Sequence, residues 1–202
     1  MSQGKVSLIG VLMLALLAGC MPLRQPPPSF DPELTWQERR LALQKLGGWK
    51  LKGRLAIDAI HEAWTGTLRW VQKDEKFEIL WISPLGQGSV ELQGNSERVT
   101  LRVPKEAPIT AASAEELLGI RLGWSLPVSG LRYWLLGLPA PNLPVASRSL
   151  DSFGRLHSLS QGGWQIRYLG YQSVENYQLP GKVFLDNPKL RLRLVIDRWH
   201  LV

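Results

Sequence analysis

The chain has 202 residues, 45% of them hydrophobic, with 24 Lys and Arg against 17 Asp and Glu and a formal charge of +7. That length suits one large domain with a sizeable core, and the apolar content excludes a wholly disordered chain. A single cysteine excludes a disulfide scaffold and a thiolate-rich metal cluster, while nine Trp against four Phe and four Tyr put large rings to use in quantity, as core or as the wall of something.

Residues 1–19 begin with one positive charge, Lys5, followed by the apolar run Val6 to Leu17. Twelve residues are too few to cross a hydrocarbon layer of roughly 30 Å, so the run reads as a secretory signal and not as a span. Leu17-Ala18-Gly19-Cys20 resembles the bacterial lipobox. That likeness implies a diacylglycerol thioether on Cys20, which becomes the acylated N-terminus. A lipid there changes the expectation from soluble to anchored, because several acyl chains at about 0.8 kcal/mol per CH₂ hold a bilayer almost irreversibly. Under the sorting rule that accompanies the lipobox, Met21 in place of Asp permits delivery to the outer membrane. Residues 20–32 then carry five of the fourteen prolines and read as a semi-stiff tether.

The folded domain is expected over residues 33–202. Glu33 to Gly47 starts acidic and ends with Lys45, which suits a helix and its dipole. Its apolar positions, Leu34, Trp36, Leu41, Leu43 and Leu46, form no single narrow stripe, so two covered faces are expected. From Trp49 the period changes to two: Leu51, Gly53, Leu55 and Ile57 alternate with more polar neighbours, as do Trp64, Gly66, Leu68 and Trp70. Val99 to Val103 and Leu190 to Ile196 repeat the pattern. These are antiparallel strands with one dry face. Phe77-Glu78-Ile79-Leu80-Trp81-Ile82 is apolar on both sides, a strand that is central or covered twice. Turns are expected at 73–75, 94–96, 161–163 and 186–188, giving about ten or eleven strands in all. Between the runs, Ser113-Ala114-Glu115-Glu116 is a capping box before a short helix. A second helix follows Ser129 and stops at Gly137 and Pro139, with strands resuming near Phe153. Three helices are too few for a full second layer, so they are expected to cover the dry side of one curved sheet. Whether that side is filled core or partly open cavity stays undecided by composition.

Catalytic chemistry finds no footing. His61, His157 and His200 lie far apart without ligand spacing, and no metal site is expected. No nucleophile elbow, H-E-x-x-H or P-loop occurs, and Gly86-Gln87-Gly88 is only a turn. The basic residues sit on wet strand faces away from the aromatics, and an exported, anchored chain meets little nucleic acid. Ser83-Pro84-Leu85-Gly86 differs from ordinary polar turns by holding a leucine between Pro and Gly, at a place from which it could dip into lipid.

Taken together, Leu17-Ala18-Gly19-Cys20, Trp49-Lys50-Leu51-Lys52-Gly53-Arg54, Ser83-Pro84-Leu85-Gly86 and Leu131-Arg132-Tyr133-Trp134-Leu135-Leu136-Gly137-Leu138-Pro139 resemble the LolB family of outer-membrane lipoprotein receptors, from the lipobox to the C-terminus. The resemblance implies a mainly β fold, a half-open antiparallel barrel with helices over an apolar cavity. It implies a monomer, no enzyme and no cofactor beyond the lipid on Cys20. It further implies a receptor at the periplasmic face of the outer membrane that takes triacylated lipoproteins from the carrier LolA and inserts them there. Leu85, flanked by Pro84 and Gly86, maps onto the family's protruding loop for membrane insertion. Trp64, Leu68, Trp70, Leu80, Ile82 and Trp134, chosen on dry-face phase and bulk, are the candidates for acyl contact. The rival reading is a lipoprotein scaffold that docks on an outer-membrane assembly complex; it predicts a filled core.

Overall fold

Period-two alternation becomes strand wherever the sequence shows it. The computed structural model describes residues 31–59, 62–84, 88–123 and 126–202. Helix α1 (Pro32–Gln44) leads into β1 (Gly48–Ala59), β2 (Ala63–Lys73), β3 (Lys76–Ile82), β4 (Ser89–Gly94), β5 (Val99–Arg102) and β6 (Ile109–Ala111). Helices α2 (Ala114–Leu122) and α3 (Val128–Leu135) follow, then β7 (Val145–Leu150), β8 (Leu156–Gln161), β9 (Trp164–Val174), β10 (Tyr177–Asp186) and β11 (Leu190–Leu201). Cys20, the signal and the tether up to Phe30 lie outside the described residues, as does His61.

All eleven strands form one antiparallel sheet in the order β6-β5-β4-β3-β2-β1-β11-β10-β9-β8-β7. The first and last strands, β1 and β11, pair at the centre, and each wing is a meander running outward from them. Among the described residues the edges β6 and β7 do not pair, so the sheet stays open. Short antiparallel hairpins need only tight turns, and the expected ones are present: Asp74 at φ +49 turns β2 into β3, and Gly162 and Gly163 turn β8 into β9.

The register puts the alternating apolar residues on one face. Leu51 lies opposite Trp70 and Trp199, and Leu55 opposite Gly66 and Leu194. At one end of the long central strands this face is packed solid by rings: Trp49 meets Trp70 at 5.5 Å and Trp199 at 5.3 Å between centroids. On the other wing of the sheet, Trp134 of α3 meets Trp164 of β9 at 6.2 Å. Tyr168 and Tyr171 donate to the carbonyls of Trp134 and Leu156. Burial pushes both hydroxyls well above the ordinary phenol range, so both remain donors at any physiological pH.

Four local expectations need correction. The body starts before Glu33: the Asp31 carboxylate caps α1 by accepting from the Glu33 N–H at 2.8 Å, and Pro32, assigned to the tether, is the first helical residue, where its missing N–H costs nothing. Only one face of α1 is covered. Trp36 and Leu43 are buried while Leu34 and Leu41 are 58% and 55% exposed. Between the buried pair sits Arg39, which lies over the Tyr171 ring and donates to the Gln178 carbonyl, an amphipathic side chain doing what a leucine was expected to do. Helix α3 starts at Val128, one residue before the expected Ser129 cap, and Gly137 at φ +75 follows its end. Strand structure resumes at Val145, well before Phe153, because β7 is a solvent-facing edge whose pattern carries no dry face.

Candidate functional site

Away from the ring-packed end, the dry face is hollow. A cavity of about 190 Å³ is walled by Leu55 and Ile57 of β1, Trp64, Leu68 and Trp70 of β2, Ile79 and Trp81 of β3, and Val90 and Leu92 of β4. Leu185, Leu192 and Leu194 complete the wall from β10 and β11, and Leu118 of α2 with Leu126, Val128, Leu131 and Leu135 of the α3 region make a roof. Every lining side chain is apolar. Water has no partner in such a space, so it stays dry and suits hydrocarbon.

Trp64, Leu68 and Trp70 from the expected set line this cavity; three others do not. Leu80 and Ile82 are on the opposite face of β3, because Leu80 pairs with Arg69 and Glu91 while Trp81 pairs with Leu68 and Val90. Ile79 and Trp81 take their place. The sequence carried a signal for this: Glu78 shares its face with Leu80 and Ile82, which marks that side as the wet one. Trp134 is 0% exposed and packs instead against Trp164 of β9, where its indole N–H donates to Gln161 at 2.7 Å. A helical residue chosen by bulk alone could not reveal that partner, 27 positions away. His157 and His200 are exposed, and among the described residues no three His, Cys, Asp or Glu side chains could hold a metal.

The wall depends on one glycine. A Cβ at Gly66 would come within 2.6 Å and 2.7 Å of the Trp81 indole and closer still to the Ile82 carbonyl oxygen. The ring can lie across β2 only because nothing stands there. Gly66→Ala is expected to part β2 from β3 locally and cost about 2 kcal/mol, the middle of the range for overpacking; urea denaturation measures it, and a loss below about 0.5 kcal/mol would show that the indole moves aside freely.

Ile57, Trp64, Trp81 and Val90 all stand near the strand ends that carry the β1–β2 and β3–β4 connections, so the hollow lies toward that end of the sheet. Pro84 is exposed and Leu85 and Gly86 lie outside the described residues. The segment leaves and returns at one point, since the Ser83 N–H donates to the Gly88 carbonyl at 2.9 Å.

The roof is fastened unequally. Glu115 of α2 accepts from the Ser129 N–H and hydroxyl of α3 at 3.0 and 2.8 Å, and Arg121 pairs with Glu106 of the β5–β6 loop. Both ties are exposed to solvent, whereas α3 is also anchored by the Trp134 indole on Gln161, the Tyr168 hydroxyl on the Trp134 carbonyl and the Arg132–Glu75 pair. A second, wider depression of about 830 Å³ lies between α1 and the 138–145 loop. Arg40, Lys45, Asp74, Glu75 and Arg132 are among its lining, and hydrocarbon gains nothing by displacing water from such charges. The small dry cavity is the candidate site.

Comparison with known proteins gives the family and the fold. The family model described as Outer membrane lipoprotein LolB matches residues 47–199. An outer-membrane lipoprotein LolB from Nitrosococcus oceani is 73% identical over 191 residues, 95% of either chain. One from Stutzerimonas stutzeri is 38% identical over 196 residues, covering 96% of this chain and 95% of its own. Among solved structures, a LolA superfamily protein from Nitrosomonas europaea superposes with a TM-score of 0.53 over 85% of this chain and 92% of its own. At 10% identity that likeness shows the fold alone.

Proposed function

This chain belongs to the LolB family of outer-membrane lipoproteins, and we propose that it receives triacylated lipoproteins from the periplasmic carrier LolA and inserts them into the outer membrane, their acyl chains passing through the hollow under α2 and α3. The family handles lipoprotein traffic and is not one of enzymes; its members are lipid-anchored at the outer membrane. Cys20 is the anchor in this reading and Leu85 the residue that meets the bilayer.

The observation that carries the proposal is the wholly apolar lining of the cavity. Its volume compares with that of an engineered apolar cavity of about 150 Å³ that takes up benzene, so the closed protein admits the end of one chain and longer stretches require α2 to move away from the sheet. Each surface tie on the roof is worth at most about 1 kcal/mol. Moving α2 also exposes its buried Ala114 and Leu117, a cost that cargo offsets at about 0.8 kcal/mol for each methylene it takes out of water. Transfer then runs downhill from a looser apolar site to a better one and finally to bilayer, without nucleotide. The rival scaffold has no use for an empty apolar hollow.

Liposome transfer tests the reading. Leu85→Glu is expected to bind a fluorescent acyl reporter like the parent and to deliver lipoprotein to vesicles at least tenfold more slowly, since a carboxylate resists entry into hydrocarbon. Normal delivery by the variant overturns the role of the loop. Failure of the parent protein to bind the reporter overturns the reading itself.

A further inference from the structure

The face of the sheet turned away from the hollow carries a feature that works against folding. Across β2, β1 and β11, Arg69, Lys52 and Arg198 stand directly opposite one another in register, and two residues along Lys50 faces His200. All of these side chains are exposed. Like charges directly opposite on neighbouring strands destabilise a sheet, and at a strand spacing of about 4.8 Å the three cations of the row fall within roughly 10 Å. Among the described residues none of Lys50, Lys52, Arg69 and Arg198 forms an ion pair. The carboxylates nearby are already engaged, Asp197 with Arg54 and Glu91 with Arg102. Glu78, opposite Val71, is one acid against four cations.

The row continues onto apolar ground. Arg69 stands opposite Leu80 of β3, and the next residue on that face, Ile82, stands opposite Thr67 and Ser89. Both are half-buried, two aliphatic side chains on the wet side of the sheet. Two residues after Ile82 comes exposed Pro84, where the segment that carries Leu85 leaves β3. Cations beside aliphatic groups on one face suit the boundary of an anionic bilayer, where ammonium and guanidinium heads meet phosphate and the apolar groups meet the acyl layer. An acidic protein would match the cations equally well but gives no use to Leu80 and Ile82. The bilayer is also close at hand, because the family is lipid-anchored at the outer membrane.

We infer that Lys52, Arg69 and Arg198, with Lys50 at the margin, form a contact surface for anionic phospholipid headgroups that lays the wet face of β1, β2 and β11 against the membrane. The contact goes beyond the acyl-binding reading and does not depend on it. Leu85 enters hydrocarbon at one point, while the row holds the body beside that point and fixes which way it faces. Phosphates then stand where the sheet lacks carboxylates, and the repulsion among the three cations is relieved on contact.

Vesicle flotation tests it, with a soluble periplasmic form of the chain carrying Cys20→Ala as the parent, so that no lipid anchor holds it to the membrane. Each cation near an anionic surface is worth roughly fivefold in binding. The parent is therefore expected to bind phosphatidylcholine vesicles containing about 30% phosphatidylglycerol at least tenfold more tightly than pure phosphatidylcholine, a preference that about 0.5 M salt abolishes. Lys52→Gln alone should cost roughly fivefold. The triple variant Lys52→Gln, Arg69→Gln, Arg198→Gln should lose the preference while resisting urea at least as well as the parent, since its repulsion is gone. Replacing Lys45, Lys105 and Lys189 by Gln removes the same charge elsewhere and should leave the preference within about threefold of the parent's. Leu85→Glu should keep it too, so this contact and the delivery reading can fail separately; its loss there overturns the row as a contact in its own right. Equal binding of the parent to both vesicles overturns the proposal, and an equal loss in both triple variants overturns the row in favour of net charge. Binding to immobilised polyglutamate but not to anionic vesicles, abolished in the row variant, overturns the bilayer in favour of an acidic protein.

Discussion

Gln161→Leu is expected to remove about 4 kcal/mol from the unfolding free energy, a large share of what a domain of this size possesses. Gln161 is 1% exposed, and its amide uses its whole capacity. The oxygen accepts from the Trp134 indole at 2.7 Å and the Ala140 N–H at 2.8 Å, and the nitrogen donates to the Ala140 and Leu143 carbonyls, both at 2.8 Å. One side chain at the β8–β9 turn thus holds the end of α3 and the following loop to the sheet. Leucine keeps the volume but orphans four groups. Each buried orphan costs about 1–3 kcal/mol, less at Leu143, which water can partly reach. Gln161→Glu should also destabilise at neutral pH, because its oxygens would face two carbonyl oxygens. Urea denaturation with tryptophan fluorescence measures both; a loss below about 1 kcal/mol for the leucine variant would mean that the 138–145 loop has its own means of staying in place.

That amide also marks where reading the sequence stops. Alternation made most of the sheet legible: Leu51 to Ile57, Trp64 to Trp70 and Leu190 to Ile196 all became strands with the expected dry face. The Ser113 cap was legible too, and its hydroxyl accepts from the Glu116 N–H at 3.1 Å. Strand β3 is apolar on both faces except for Glu78, the one residue that marks the wet side, and bulk pointed past it to the wrong pair, Leu80 and Ile82. Trp134 satisfies its N–H through a residue on another strand, a relation that no local pattern encodes. On α1, the covered stripe runs through Arg39 because a guanidinium can stack on Tyr171 and bond Gln178 at once, whereas hydrophobic periodicity counts it as polar. Rings were the ambiguous currency throughout: Trp49 and Trp199 fill one end of the dry face and Trp134 packs on Trp164 over the other wing, while Trp64 and Trp81 line the hollow, and composition weighs them alike.

Filling the empty end should therefore separate function from stability. Val90 stands on β4 opposite Trp81, half-buried, with its side chain on the wall of the hollow. Val90→Trp is expected to lower acyl-reporter binding more than tenfold while shifting stability by less than about 1.5 kcal/mol, since the new ring enters existing space in place of a packed neighbour's. The wall is the right place for the obstruction. A bulky residue at Leu118 would leave the site whenever α2 lifts, but one on the sheet stays put in both states of the roof. Val90→Ala, which enlarges the hollow, should bind at least as well as the parent. The same substitution discriminates between sites: if Val90→Trp bound the reporter normally and remained folded, the acyl chains would have to lie elsewhere, and the charged depression beside α1 offers them no comparable surface.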